Sequence, residues 1–286
     1  MIITLDGGTT NTRMRLFDGD RLVDQLSSSV GSNRKDNAPL REAVADMVSQ
    51  LRRHGEIEVI VASGMVTSEL GLYELPHLTA PAGVEELAAG AVSVTLPFCD
   101  IPFLFIPGVK TDMDMMRGEE TECMGLELTE PCAVVLPGTH NKVILFDGKR
   151  ITDFMTMMSG ETIAAIKDHT ILSQSLPHEL PKTFDGQYLQ EGAAMTRQYG
   201  LTSALFRVRS LAKFCQVTQE QLSSFYVGAV LQSDAQAVSA FAGDCPVYVG
   251  GKEPLQAELC LLIPNAKPLA QATMASAVGA KRIYEA

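Results

Sequence analysis

The apolar run at residues 2–5, Ile-Ile-Thr-Leu, predicts a short strand. A Gly-rich turn follows, Asp6-Gly7-Gly8-Thr9-Thr10-Asn11-Thr12. Next, Arg13-Met14-Arg15-Leu16-Phe17 alternates polar and apolar positions, and Asp18-Gly19 supplies a hairpin turn. The first fifth of the chain therefore reads as a β-meander. Between 39 and 54 the period changes: Leu40, Val44, Met47, Val48 and Leu51 share one helical face, and Gly55 ends it. Residues 56–62 predict a buried strand, 63–83 an irregular stretch rich in Gly and Pro, and 103–106 a further strand. Residues 111–127 predict a helix that starts at a Thr111 or Asp112 cap.

The pattern then restarts. Residues 133–136 and 143–146 predict two strands around the turn Pro137-Gly138-Thr139-His140-Asn141-Lys142, and Asp147-Gly148 is again a hairpin turn. The two openings share Leu, Gly, Thr, Asn, a basic residue and Leu-Phe-Asp-Gly, the second loop being two residues shorter. This is an internal repeat at about half the chain length, and it predicts two similar domains. We place their boundaries at 1–128 and 129–286. Helical periods cover 161–172, 185–199, 202–215 and 218–242. A short strand at 246–249 ends in Gly250-Gly251. Helices at about 253–262 and 273–284 complete the chain, and the last is expected to pack back on the first domain.

Composition adds constraints rather than a class. Of 286 residues, 46% are hydrophobic and 20% charged, which is ordinary for a globular protein. The formal net charge of −11 argues against a general nucleic-acid surface. The start is a strand-like run with no basic region before an apolar stretch, and no apolar run reaches membrane-spanning length. Cys99, Cys123, Cys132, Cys215, Cys245 and Cys260 form no C-x-x-C pair and no zinc spacing with His, so buried thiols in a reducing cytoplasm are expected. No membrane or nucleic-acid partner is expected; a homodimer is compatible with the sequence.

The candidate chemistry lies in the turns. Adjacent Gly7 and Gly8 let backbone approach a ligand, and Thr9, Thr10 and Asn11 add donors, which together make an anion nest. Asp6 would repel phosphate directly but can hold it through a magnesium ion. The second loop offers Gly138, Thr139 and Asn141 in the matching place, with Lys142 as a cation, but Pro137 stands where Asp6 stands. Lys142 reads equally as a solvated hairpin lysine, and His140 as an orienting or substrate-contacting group. The strand at 247–249 running into Gly250-Gly251 suits packing of a flat nucleoside. Asp112, Asp114, Glu119 and Glu120 surround Arg117-Gly118, so the segment can supply a base for an attacking hydroxyl and an arginine fork for a carboxylate. Acids at a helix start are also simply favoured by its dipole. Long irregular stretches like 63–83 are often functional.

In this order the two loops and Val-Gly-Gly resemble the two phosphate motifs and the adenosine motif of the actin-like ATPase superfamily. More narrowly, Leu5–Arg13, Ser63-Gly-Met65 with Glu74-Leu-Pro-His77, Met116–Thr121, Leu136–Lys142 and Met158-Ser-Gly-Glu161 resemble the 2-dehydro-3-deoxygalactonokinase family. The resemblance implies an α/β fold of two ribonuclease-H-like domains with ATP in an interdomain cleft. It implies transfer of the ATP γ-phosphate to the C6 hydroxyl of 2-dehydro-3-deoxy-D-galactonate in galactonate breakdown. Asp6 would serve Mg2+, and Gly7–Asn11, Gly138, Thr139, Asn141, Lys142, Gly250 and Gly251 the nucleotide. Met65, Glu74, Arg117 and His140 would face the sugar acid. Because Pro137 replaces an acid in the second loop, the expected base is Glu119, ahead of Asp114 and Glu120. Alternatives are a kinase for another small sugar or keto acid, a nucleotide-switched protein of the same superfamily, or a polyphosphate phosphatase.

Overall fold

The predicted meander forms as β1 (Ile2–Gly7), β2 (Thr12–Asp18) and β3 (Arg21–Ser28) in the computed structural model, which describes residues 1–269 and 274–286. After it come α1 (Ala38–Leu51), β4 (Val59–Gly64), β5 (Leu78–Thr79), β6 (Ala82–Gly83) and α2 (Val84–Gly90). Then follow β7 (Val92–Val94), β8 (Phe103–Phe105), β9 (Val109–Lys110), β10 (Met115–Met116) and α3 (Glu119–Met124). These elements belong to the first of two compact units, comprising 1–130, 147–153 and 274–286.

Its main sheet has the order β3-β2-β1-β4-β8-β7. The meander strands are antiparallel, while β4 runs parallel to β1 and β8 parallel to β4. Period-2 alternation assigns the faces. Ile3, Leu5, Met14 and Leu16 are buried in one core with Leu40, Val44, Met47, Val48 and Leu51 of α1. That explains why the helical stripe of α1 was legible: all five predicted residues are its buried ones. The opposite face carries polar residues. In register, Asp6 lies opposite Arg13 on β2 and Ser63 on β4, and Thr4 lies opposite Arg15.

The predicted 111–127 helix is a correction. Only Glu119–Met124 is α-helical. Thr111 does cap, but it closes a turn: its Oγ1 accepts the N–H of Met113 at 3.2 Å and of Asp114 at 3.0 Å. Local side-chain bonds of this kind compete with helix. Met115 and Met116 then pair antiparallel with β9, and Gly118 at φ +110° turns the chain into α3. The short elements β5, β6, α2 and β7 lack a strong period and were not predicted individually.

The second unit comprises 131–146 and 154–269. It contains β11 (Cys132–Leu136), β12 (Asn141–Phe146) and β13 (Arg150–Met157), followed by α4 (Ser159–His169), α5 (Gly186–Tyr199), α6 (Leu201–Phe214) and α7 (Gln219–Ala242). Next are β14 (Val247–Val249), α8 (Leu255–Leu262) and β15 (Lys267–Pro268). The start of β13, Arg150 and Ile151, counts with the first unit and pairs with β6. The strand order β15-β14-β11-β12-β13 mirrors β8-β4-β1-β2-β3: a meander whose first strand takes a parallel neighbour on its other side. The internal repeat in sequence thus corresponds to a repeat of topology.

The last helix, α9 (Ala275–Glu285), packs on α3, β1 and β4 in the first unit. Its expected start at Thr273 lies outside the described residues. Contact with α3 is backbone to backbone. A Cβ on Gly125 would overlap the Ala275 carbonyl, and one on Gly279 the Thr121 carbonyl. Among the described residues no helix is long and apolar enough to cross a membrane.

Candidate active site

In the first unit, three glycines from three elements lie in backbone contact at the end of β1. Gly64, at φ +83°, would place a Cβ 2.5 Å from the Gly7 carbonyl oxygen. Gly118 would place one 3.2 Å from the Gly64 Cα. Only glycine tolerates both the positive φ and the approach. The result joins the first loop, the start of the 63–77 stretch and the start of α3. The loop is closed by the Gly8 N–H donating to the Asn11 carbonyl at 2.8 Å. Thr9, Thr10 and Asn11 are exposed at its tip.

Asp6 sits at the foot of this loop. Arg13 Nη1 lies 3.4 Å from its Oδ2. Burial pushes the Asp6 carboxyl up, while the charges of Arg13 and Arg15 and a Ser276 hydrogen bond pull it down. Glu122 on α3 is half-buried, and its carboxyl is pushed up to about 7, first by burial and then by the charges of Asp6 and Glu119. Among the described residues no three His, Cys, Asp or Glu side chains are grouped to enclose a metal ion. The donors present, hard carboxylate oxygens beside an exposed loop with hydroxyl and N–H groups, are of the type that fits magnesium, which commonly takes one or two carboxylates and completes its shell with water and phosphate.

Arg117 is engaged within the protein. Its Nη1 donates to Thr67 Oγ1 at 2.6 Å, and its Nη2 to the Leu75 carbonyl at 2.9 Å. Nη2 also lies 3.3 Å from His77 Nδ1. The arginine fork expected to grip a substrate carboxylate is therefore spent on holding the 67–77 loop; Nε–H makes no hydrogen bond among the described residues. His77 is held below its usual value by burial, then by the charges of Arg117 and Lys110. Met65 is half-buried beside Gly64, and Glu74 is exposed.

The acids near Arg117 separate by environment. Asp114 Oδ1 accepts the Met115 N–H at 2.6 Å, within the turn that Thr111 closes. Glu119 Oε2 accepts the Arg117 N–H at 3.1 Å. Glu120 is fully buried, both its oxygens 2.8 Å from the Gly118 N–H and one accepting from the Thr121 hydroxyl. It cannot touch a substrate in this conformation, which corrects its expected place among the bases.

Burial, then the charge of Glu119, pushes the Glu120 carboxyl up to about 7. A carboxyl whose folded pKa lies above its unfolded value keeps its proton longer in the fold. Stability is therefore lost as pH rises from about 4.5 to about 7. Glu120→Gln keeps an acceptor for the Gly118 N–H and removes the charge. We expect the variant to lose less stability than the parent between pH 5 and pH 8, by about 2–3 kcal/mol, measured by urea unfolding at both pH values. Parallel pH curves for the two proteins would show that Glu120 is ionised in the fold.

In the second unit the loop after β11 is built differently. The Gly138 N–H donates to Asn141 Oδ1 at 3.0 Å. Asn141 Nδ2 in turn donates to Asp234 Oδ2 at 2.7 Å. The Ser159 hydroxyl lies 2.6 Å and 2.5 Å from the two Asp234 oxygens. Asp234 is 5% exposed, so a buried carboxylate from the middle of α7 ties together the loop and the start of α4. Gly160 would place a Cβ 2.6 Å from both the Gly138 and Thr139 carbonyls, so the helix start presses against the loop. Gly251, at φ +86°, lies against the Pro137 ring, bringing the Gly-Gly turn beside the same loop. Lys142 is buried, its Nζ 3.2 Å from Thr156 Oγ1, which overturns the solvated-lysine alternative. His140 Nε2 lies 3.0 Å from Glu161 Oε1.

The expected residues thus form two clusters. Asp6–Asn11, Met65 and Arg117–Glu120 meet in the first unit, and Gly138–Lys142 with Gly250-Gly251 meet in the second. Missed were Glu122, Ser276 and Asp234. Glu122 sits three positions past Glu119 and could have been weighed with it. Asp234 and Ser276 stand in helices far along the chain, and no local pattern marks them.

The sequence profile of the family described as 2-keto-3-deoxy-galactonokinase matches residues 6–280. The chain is 28% identical over 238 residues to the 2-dehydro-3-deoxygalactonokinase of Escherichia coli (strain K12), covering 82% of this chain and 80% of that protein. A crystal structure from Sinorhizobium meliloti, provisionally described as a 2-dehydro-3-deoxygalactonokinase protein, superposes with a TM-score of 0.83 at 23% identity over 99% of this chain and 98% of that one. The ligand-bound xylulose kinase of Lactobacillus acidophilus superposes with a TM-score of 0.53 at 11% identity, covering 99% and 88%. The likenesses identify the repeated topology as the ribonuclease-H-like units of the actin-like ATPase and sugar-kinase fold. The chain belongs to the 2-keto-3-deoxy-galactonokinase family and is a carbohydrate kinase.

Proposed function

We propose that this kinase transfers the γ-phosphoryl group of ATP to the C6 hydroxyl of 2-dehydro-3-deoxy-D-galactonate, giving ADP and 2-dehydro-3-deoxy-6-phosphogalactonate in galactonate breakdown. The observation that carries the reading is the Gly7–Gly64–Gly118 contact, which sets a phosphate-type loop and its Asp6 beside Arg117 and the acids of α3. Phosphoryl transfer asks a protein chiefly for such positioning and charge.

In this reading the Gly7–Asn11 loop binds phosphate oxygens through backbone N–H groups and the Thr9 and Thr10 hydroxyls. In the second unit Gly138 and Thr139 do the same, Lys142 adds charge, and Gly250-Gly251 borders the nucleoside. Asp234 holds Asn141, and Asn141 holds the loop N–H in place. Asp6 would hold magnesium, which when bound neutralises charge on the phosphate oxygens. Arg117 keeps the 67–77 loop in place and offers its charge and Nε–H to the sugar-acid carboxylate. Met65 and Glu74 border the acceptor in the first unit. The six cysteines are all free thiols, which suits a reducing cytoplasm.

The position of transfer is read directly from the product by 31P NMR. Phosphate on C6 couples to two protons and gives a triplet. A doublet, from phosphate on a secondary carbon, would overturn the C6 assignment.

A further inference from the structure

Glu122 is the acid of α3 that the protein leaves uncommitted. Glu119 gives an oxygen to the Arg117 N–H, Glu120 gives both to the Gly118 N–H, and Asp114 caps Met115. Glu122 makes no hydrogen bond or ion pair among the described residues. It is also half-buried, where Glu120 is sealed away.

Its position is fixed by backbone. The Glu122 N–H donates to the Gly118 carbonyl at 3.0 Å, so Glu122 stands one turn along α3 from the glycine in contact with Gly64. From there its carboxyl lies within electrostatic reach of Asp6, Glu119 and Arg13. Two elements prevent α3 from sliding: the Gly118–Gly64 contact at its start and the Gly125–α9 contact at its end. A half-buried, uncommitted carboxyl on a helix fixed at both ends, one turn from the glycine that touches Gly64 and near Asp6, has the geometry of a proton acceptor.

We propose that Glu122 is the general base of the kinase reaction, accepting the proton of the acceptor hydroxyl. This rests on the kinase function stated above. In the step the hydroxyl O–H bond breaks, its proton goes to a Glu122 oxygen, and its oxygen forms a bond to the γ-phosphorus. The bond from the γ-phosphorus to the bridging oxygen breaks, its electron pair leaving on ADP. No further reactant is needed.

The test compares the parent with Glu122→Gln and Glu122→Asp in the full chain. We expect Glu122→Gln to lower kcat by about 10²- to 10⁴-fold. KM for ATP and the affinity for Mn2+ in the presence of ADP, followed by electron paramagnetic resonance, should stay within about twofold. Glu122→Asp keeps a proton acceptor one methylene further back, so its kcat should lie clearly above that of Glu122→Gln. The proposal falls if Glu122→Gln keeps kcat within tenfold of the parent. It also falls if Mn2+ affinity drops as far as kcat, which would make Glu122 a cation-holding group, or if both variants fail to fold. The acceptor is the keto acid. If the parent ignores it, the substrate reading fails, and the same comparison is made with the sugar acid that a panel returns.

Discussion

Asp6→Asn should abolish most turnover while leaving the fold intact. The carboxyl stands at the foot of the first loop, where register and charge set it against Arg13 and Arg15. Asparagine has the same shape and keeps a hydrogen-bond acceptor for Ser276, so packing survives. Burial already works against the charged form of Asp6, which means that removing the charge relieves one cost while leaving Arg13 and Arg15 without a counter-charge. These effects oppose each other, and the melting temperature should move little. What is lost is the anionic oxygen that would hold magnesium. We expect kcat to fall on the order of 10²–10³, with the parent's circular dichroism spectrum retained. A variant that unfolds would make Asp6 a structural residue, and one with near-parent turnover would remove it from the metal site.

Gly64→Ala should damage both stability and activity. A Cβ there meets the Gly7 carbonyl oxygen at 2.5 Å in a backbone held at φ +83°. A backbone at φ 83° and ψ -154° is essentially restricted to glycine and costs a side chain about 1–3 kcal/mol, and relieving the overlap adds about 1–3 kcal/mol. Relief can only come by moving Gly7, and with it Asp6 and the loop, or by moving Gly118 and with it α3. Misplacement by about 1 Å costs on the order of 10² in rate. Gly19→Ala provides the control. Gly19 has φ +58° with open space around it, so it should lose about 1–2 kcal/mol and keep full turnover. Equal activity losses in the two variants would mean that the glycine contact does not set the site.

Much of this was legible in the sequence because the signals were local. The Asp18-Gly19 and Asp147-Gly148 turns, the stripe of α1 and the repeat of Leu-Phe-Asp-Gly each encode an element or a topology directly. The helix at 111–127 was misread because its cap residue, Thr111, serves a turn as well as a helix, and because pairing of β10 with β9 is a tertiary matter. The sequence points to Arg117 as a fork for a substrate carboxylate, yet its partners Thr67, Leu75 and His77 lie about 40 to 50 positions away, and nothing local indicates that the fork is already occupied. The same holds for Asp234, whose link to Asn141 spans 93 positions. Polar networks between distant segments are specified by packing, and a single sequence records packing only as periodicity.

The central claim, a sugar-acid kinase, is tested most directly by ADP release with ATP and magnesium, measured with and without 2-dehydro-3-deoxy-D-galactonate. We predict strong stimulation of ADP release by the keto acid, with ADP and phosphorylated acid formed one for one. ADP release that ignores the acid while ATP is still bound would contradict the claim.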